Sequence, residues 1–157
     1  MTKLRVFPDT GVLLAMMVFP KDQYGQPTLA GEVLDLYEED VFDLILSQAV
    51  IDELEEVIDR DFPEYRSQIL ALLAPFKGWL TRWPMPQEIK AALLYSTDPD
   101  DAPIFAAAVV AQPDIVVSND FQAFHTPRAK EFWAQYQIQV ESLYGLLCVF
   151  GRRERKD

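Results

Sequence analysis

"DPDDAPIFAAAVVAQPDIVVSND", Asp98 to Asp120, decides the fold. Three aspartates fall in four positions, at Asp98, Asp100 and Asp101. From Asp101, the apolar residues Ile104, Phe105 and Ala108 follow at +3, +4 and +7, the spacing of one helix face. The run "IVV", Ile115–Val117, then reads as a short buried strand ending at Ser118-Asn119-Asp120. An Ala-rich helix feeding a short apolar strand is the repeating unit of a parallel sheet covered by helices.

The rest of the chain repeats this alternation. "LRVF", Leu4–Phe7, predicts a buried strand that stops at Pro8-Asp9-Thr10-Gly11 and gives way to a helix over "VLLAMMVF". Residues Pro20 to Thr28 read as a loop by their Pro, Gly and polar content. "LAGEVLDLYEED" carries Leu29, Val33, Leu36 and Tyr37 at helical spacing, and "FDLILS", Phe42–Ser47, predicts a second strand. Ser47 opens "SQAVIDELEEVIDR", an amphipathic helix with Val50, Ile51, Leu54, Val57 and Ile58 on one face. "EYRSQILALLAPFKGWL" continues as helix with a break at Pro75, and Trp79 and Trp83 flank an irregular stretch through "TRWPMPQ". "AKEFWAQY" predicts a short helix, "IQVE" an edge strand, and "SLYGLLCVF" a last helix starting at Ser142. The tail "GRRERKD" reads as charged and frayed. The expected organisation is one domain over residues 1–150 and a charged tail over 151–157.

The chain has 157 residues, with 25 acidic against 14 basic side chains and a formal charge of −11. That balance opposes broad attraction to nucleic acid or to an anionic membrane. Any nucleic-acid contact then needs a local basic patch, a metal ion or a partner. The single cysteine, Cys148 in "LLCVF", reads as a buried small hydrophobe. "MTKLRVFPDTG" lacks the apolar core of a signal peptide, and no run is long enough to span a bilayer, so a cytoplasmic protein with no membrane contact is expected.

In doubly wound folds, sites form beyond the carboxyl ends of the strands. Asp9 follows the first strand and Asp120 follows "IVVSN"; Asp101 opens the helix leading into that strand, and Glu53 lies about two turns into the helix after the second. A parallel sheet can bring all four to one rim. Oxygen-only donors select hard cations such as Mg²⁺ or Mn²⁺. Each residue also has a structural alternative: Asp9, Asp101 and Asp120 as helix caps, Glu53 as a solvated helix residue. Asp98 precedes Pro99 and so belongs to the incoming turn. From there it can reach a second metal through water. Asp100, rotated about 100° from Asp101, faces solvent or caps.

Three blocks, "VFPDTGVLLAMMVFP", "LILSQAVIDELEEVIDR" and "DPDDAPIFAAAVVAQPDIVVSNDFQAF", occur in the order found in the PIN-domain family. The chain resembles that family, in particular its toxin-like branch of bacterial toxin–antitoxin ribonucleases. The resemblance implies a three-layer α/β fold, with a central parallel sheet of four to five short strands flanked by helices. It implies metal-dependent hydrolysis of RNA phosphodiester bonds that leaves a 5′-phosphate. It assigns Asp9, Glu53, Asp101 and Asp120 as the four acidic site residues, holding Mg²⁺ or Mn²⁺. Thr10, Ser118 and Asn119 are in supporting positions, with Ser118 standing where the family often has threonine. The family commonly carries Asn where this chain has Gly11. Expected partners are an RNA substrate, an antitoxin protein and a second copy of the chain. Arg82, Arg128 and Lys130 are candidate substrate contacts, as are Arg152, Arg153, Arg155 and Lys156 in the tail. His125, the lone histidine, reads as a loop residue that is not required as a base.

Two other fold classes fit less well. A haloacid-dehalogenase phosphatase needs Asp-x-Asp after the first strand, where this chain has Asp9 and Gly11. A response-regulator receiver needs a paired acidic motif at the first strand and a lysine after the last, and neither is present. The alternative to an enzyme is a catalytically weak PIN-like module that acts mainly through a protein partner.

Overall fold

A computed structural model describes residues 2–74 and 80–156. The expected break at Pro75 and the position of Trp79 lie outside the described residues. The fold is α/β. Four parallel strands form the main sheet: β1 (Arg5–Pro8), β2 (Asp43–Leu44), β5 (Ile115–Val117) and β6 (Gln139–Glu141), in the order β2-β1-β5-β6. The inner pair aligns Val6 with Ile115, Phe7 with Val116 and Pro8 with Val117. All of these but Pro8 belong to the hydrophobic core, as expected of strands covered on both faces. The expected edge strand near Gln139 does sit at the edge.

Helix α1 (Thr10–Val18) follows β1 directly, with Asp9 as its cap. Helix α2 (Leu29–Glu38) packs between α1 and the C-terminal helix α9 (Leu143–Val149). Helices α3 (Gln48–Asp61) and α4 (Arg66–Leu73) come next in the chain, joined by a 3-10 turn at Pro63–Tyr65. Helix α6 (Ala102–Ala111) is apolar all round and buried along most of its length, the expected environment for such a helix. Its run of alanines lets α5 (Pro86–Leu93) and α3 approach closely. Gln112 adopts a left-handed conformation (φ 52°) and closes α6 through bonds from its N–H to Ala108 and Val109 carbonyls, ahead of Pro113. Helices α7 (Phe121–Phe124) and α8 (Pro127–Gln135) connect β5 to β6.

Four expectations need correction. The second strand is two short ones: β2 pairs with β1, whereas β3 (Leu46–Ser47) pairs with β4 (Leu80–Thr81) in a separate two-stranded sheet. The stretch around "TRWPMPQ" is not irregular throughout, because it holds β4 and the start of α5, whose Pro86 occupies the first turn. The tail is not frayed: Arg152, Arg153 and Arg155 pair with Glu39, Glu32 and Glu141. Cys148 is only half-buried. Among the described residues, no helix is long and apolar enough to cross a membrane.

Candidate active site

Asp9 is held from three directions. Its backbone N–H donates to the Val117 carbonyl across the β1–β5 pair (3.0 Å). Its Oδ1 accepts from the Val12 N–H at 2.8 Å, closing the first turn of α1. Its Oδ2 accepts from the Ser118 hydroxyl at 2.5 Å. The side chain is 6% exposed. Burial pushes its carboxyl above the usual aspartate range, and the Ser118 and Val12 hydrogen bonds oppose that shift. Asp9 thus caps α1 with one carboxylate oxygen while Ser118 holds the other.

Ser118 joins two carboxylate residues. Its fully buried hydroxyl donates to Asp9 and accepts from the Asp120 N–H at 3.0 Å. Asp120 caps the short helix α7 by accepting the Ala123 N–H on Oδ1 (3.1 Å). Asn119, between them, accepts the Leu143 N–H at 2.9 Å and ties the loop to the start of α9. A hydroxyl-x-Asp sequence after a strand thus sets both ends of the loop.

Asp98, Asp100 and Asp101 divide their roles. Asp98 caps a 3-10 turn at Pro99–Asp101 by accepting the Asp100 N–H on Oδ1 at 2.9 Å. Asp101 stands at the N-cap position of α6 but makes no side-chain capping bond. Its carboxyl is pushed up to about 6, first by burial and then by the charges of Asp98, Asp120, Asp100 and Asp9. Glu53 is open to solvent at the mouth, yet the surrounding protein raises its carboxyl, with Asp101, Asp9 and Glu56 adding to the shift. The Thr10 hydroxyl lies close enough to favour the charged form of Glu53, while its buried Oγ1 has no partner at hydrogen-bond distance.

Asp9, Glu53, Asp101 and Asp120 line one cleft of about 310 Å³, together with Thr10, Asn119, Gly11 and apolar residues including Ile104 and Phe124. The four carboxylates expected to meet do meet. Asp98 does not line this cleft. Asp100 lines the adjoining groove with Asp52, Glu56 and Trp83. A Cβ on Gly11 would meet only Asp9 Oδ1, at 3.7 Å, so packing does not require glycine there.

None of the basic candidates lines the cleft. The Arg82 guanidinium is forked onto Glu88 at 2.8 and 3.1 Å. Arg128 lies 6.0 Å above the Tyr95 ring, Lys156 lies over Tyr144, and Lys130 is exposed on α8. His125 lies outside the helices, as its reading as a loop residue expects, but sequence reasoning missed its contact. Its Nε2 lies 2.7 Å from the Ser118 carbonyl, which only accepts, so Nε2 carries the proton. Nothing local in the sequence signals that link.

Among the described residues, no three His, Cys, Asp or Glu side chains close into a ready-made ligand cage. The donor set nevertheless fits a hard divalent cation. It is all oxygen, three of its four carboxyls are raised, chiefly by burial and then by one another's charge, and the Thr10 oxygen beside them is unpartnered.

A family model described as PIN domain matches residues 5–122, a span that includes all four carboxylates and Ser118. The chain belongs to the PIN domain family. PIN domains are typically nucleases and generally use divalent metals. No curated protein matches the chain.

Ser118→Ala is expected to loosen the site and the fold together. It leaves the Asp120 N–H and Asp9 Oδ2 without their partner, a cost of about 1–3 kcal/mol. Divalent-metal affinity should fall roughly 10- to 100-fold, as for other residues that orient ligands. Thermal unfolding and a Mn²⁺ titration of the purified variant check both; unchanged values would mean that Ser118 does not orient Asp9.

Proposed function

We propose that the chain is a Mg²⁺- or Mn²⁺-dependent endoribonuclease, a phosphodiester hydrolase acting through Asp9, Glu53, Asp101 and Asp120. The observation that carries this reading is the convergence of the four carboxylates on one cleft at the carboxyl ends of β1 and β5. When bound, a divalent cation supplies Lewis acidity, activating water and stabilising charge on the phosphodiester.

The chain's own residues supply the rest. Asp9 and Asp120 are fixed by hydrogen bonds from Ser118, Val12 and Ala123, so they set the position of the cation without rearranging. Asp101 makes no capping bond, and Glu53 is exposed with only the Thr10 hydroxyl nearby, so both can adjust to cation and substrate. Thr10 adds a hydroxyl at the same wall, and Asn119 holds the loop. Ile104 and Phe124 add apolar wall to the cleft.

The finer role is that of the toxin in a toxin–antitoxin pair, held inactive by a partner that places a basic side chain among the carboxylates. The strongly acidic cleft supports this electrostatic match. A second reading, a PIN-like binding module acting through a protein partner or a second copy, is favoured by one observation: among the described residues, no Lys or Arg lines the cleft. One experiment separates the two. RNA cleavage ends are sequenced after expression of the wild type and of Asp101→Asn. New 5′-phosphate ends only in the wild type, suppressed by EDTA in the purified protein, support the enzyme. Identical end profiles support the binding module.

A further inference from the structure

Holding RNA poses a difficulty for a chain of charge −11. Affinity for nucleic acid comes mainly from Lys and Arg on phosphates. Here Arg66, Arg82, Arg152, Arg153 and Arg155 are each paired with a carboxylate, and Arg128 is stacked on Tyr95. Among the described residues, neither the carboxylate cleft nor the groove beside it has a basic residue on its wall. Stacking of bases on aromatic rings is the other general source of affinity, and it needs no charge.

Among the described residues two exposed aromatic rings stand near the site: Trp83, in the adjoining groove, whose indole N–H is committed to Asp52 at 2.8 Å, and Phe121. Phe121 directly follows the site residue Asp120 and is 58% exposed. It lies three residues before Phe124, which lines the cleft, so the two share one side of α7. The Phe121 ring lies 4.4 Å from the His125 ring, the planes inclined by 33°. His125 in turn donates from Nε2 to the Ser118 carbonyl at 2.7 Å, and the Ser118 hydroxyl holds Asp9. The exposed ring is therefore braced on one face and linked through two hydrogen bonds to the centre of the site. Its other face is available to a planar group.

We infer that Phe121, braced by His125, is a stacking platform that seats an unpaired base of single-stranded RNA beside the carboxylate cleft. The inference rests on the nuclease reading above and names the residue that seats its substrate. Inside a duplex both faces of a base are already covered by its stacked neighbours, so a duplex is a poor substrate. His125 acts as a positioning residue, holding the ring rather than touching RNA.

The test uses the full chain and a short single-stranded RNA containing one 2-aminopurine, with Ca²⁺ in place of Mn²⁺ for binding and Mn²⁺ for cleavage. The wild type should bind with quenched 2-aminopurine fluorescence and favour the single strand over the matching duplex. Phe121→Ala should weaken binding and raise KM about 10-fold, within the range for loss of one base–aromatic stack, and abolish the quench, with kcat changed little. Phe121→Trp should restore both. Tyr24→Ala, which removes another exposed ring, should change neither. Unchanged affinity, quench and KM in Phe121→Ala would overturn the platform while leaving the nuclease reading intact. So would a Phe121→Ala effect confined to self-association in sedimentation, which would make the ring a protein contact. A wild type that binds with the quench but never cleaves keeps the platform and removes the nuclease reading. A wild type that binds no RNA removes both.

Discussion

Asp101→Asn is expected to abolish metal-dependent RNA cleavage, by a factor on the order of 1,000 or more, if Asp101 supplies several kcal/mol of charge stabilisation through the cation. The fold should survive. The Asp101 side chain caps nothing, and the substitution preserves its shape while removing a charge that its surroundings already disfavour. Asp100→Asn should keep most activity, because Asp100 lines the adjoining groove and not the cleft. Asp98→Asn should also remain active, since an amide oxygen can still accept the Asp100 N–H that Asp98 holds. Loss of that cap altogether, in Asp98→Ala, should cost about 1 kcal/mol. The sequence expectation placed Asp98 within reach of a second metal; in the structure it caps the turn at Pro99–Asp101 and its charge acts on Asp101. Purified variants assayed side by side on one RNA decide the matter. An inactive Asp100→Asn beside an active Asp101→Asn would move the site by one residue and reverse the facing of α6.

The second large effect is on stability. In EDTA, the carboxyl of Asp101 should destabilise the folded chain as pH rises. Its ordinary value is 3.8 and its folded value about 6. A carboxyl raised on folding binds its proton more tightly in the folded state, so its support is complete below about pH 4 and is lost as pH climbs through about 6. Glu53 and Asp9 are shifted in the same direction, also chiefly by burial. Asp101→Asn cannot titrate there. It should melt above the wild type at pH 7.5, and the gap should close towards pH 4. Mn²⁺ supplies the missing counter-charge to the folded state only. At 100 times its Kd it should add about 2.7 kcal/mol, a rise in Tm of roughly 5–10 °C for a chain of this size. The rise should shrink at pH 5, where protons compete for the ligands. Scanning calorimetry across pH, with and without Mn²⁺, measures each part. A wild-type Tm indifferent to millimolar Mn²⁺ at pH 7.5 would weigh heavily against a cation site.

Much of this protein was legible locally. The apolar runs at Val6–Phe7 and Ile115–Val117 mark strands buried on both faces, and β1 and β5 form the centre of the sheet. The spacing from Asp101 to Ile104, Phe105 and Ala108 sets the facing of α6, and Asp101 lines the cleft accordingly. Pro99 pushes Asp98 out of helical backbone and into the cap of the turn. These features depend on a few consecutive residues, through periodicity, capping and proline geometry, which act over one or two turns. The tertiary structure decided the rest. The second strand splits because Leu44 and Leu46 serve different sheets, and β4, the partner of β3, lies beyond two helices. The tail is held because β6 and α2 present Glu141 and Glu32 to Arg155 and Arg153, the latter pair 121 positions apart. His125 meets the Ser118 carbonyl only because α7 turns back over the end of β5. Which charges pair, and which aromatic stands beside the cleft, depends on strand order and helix packing. Those bring together residues whose separation along the chain carries no local signal.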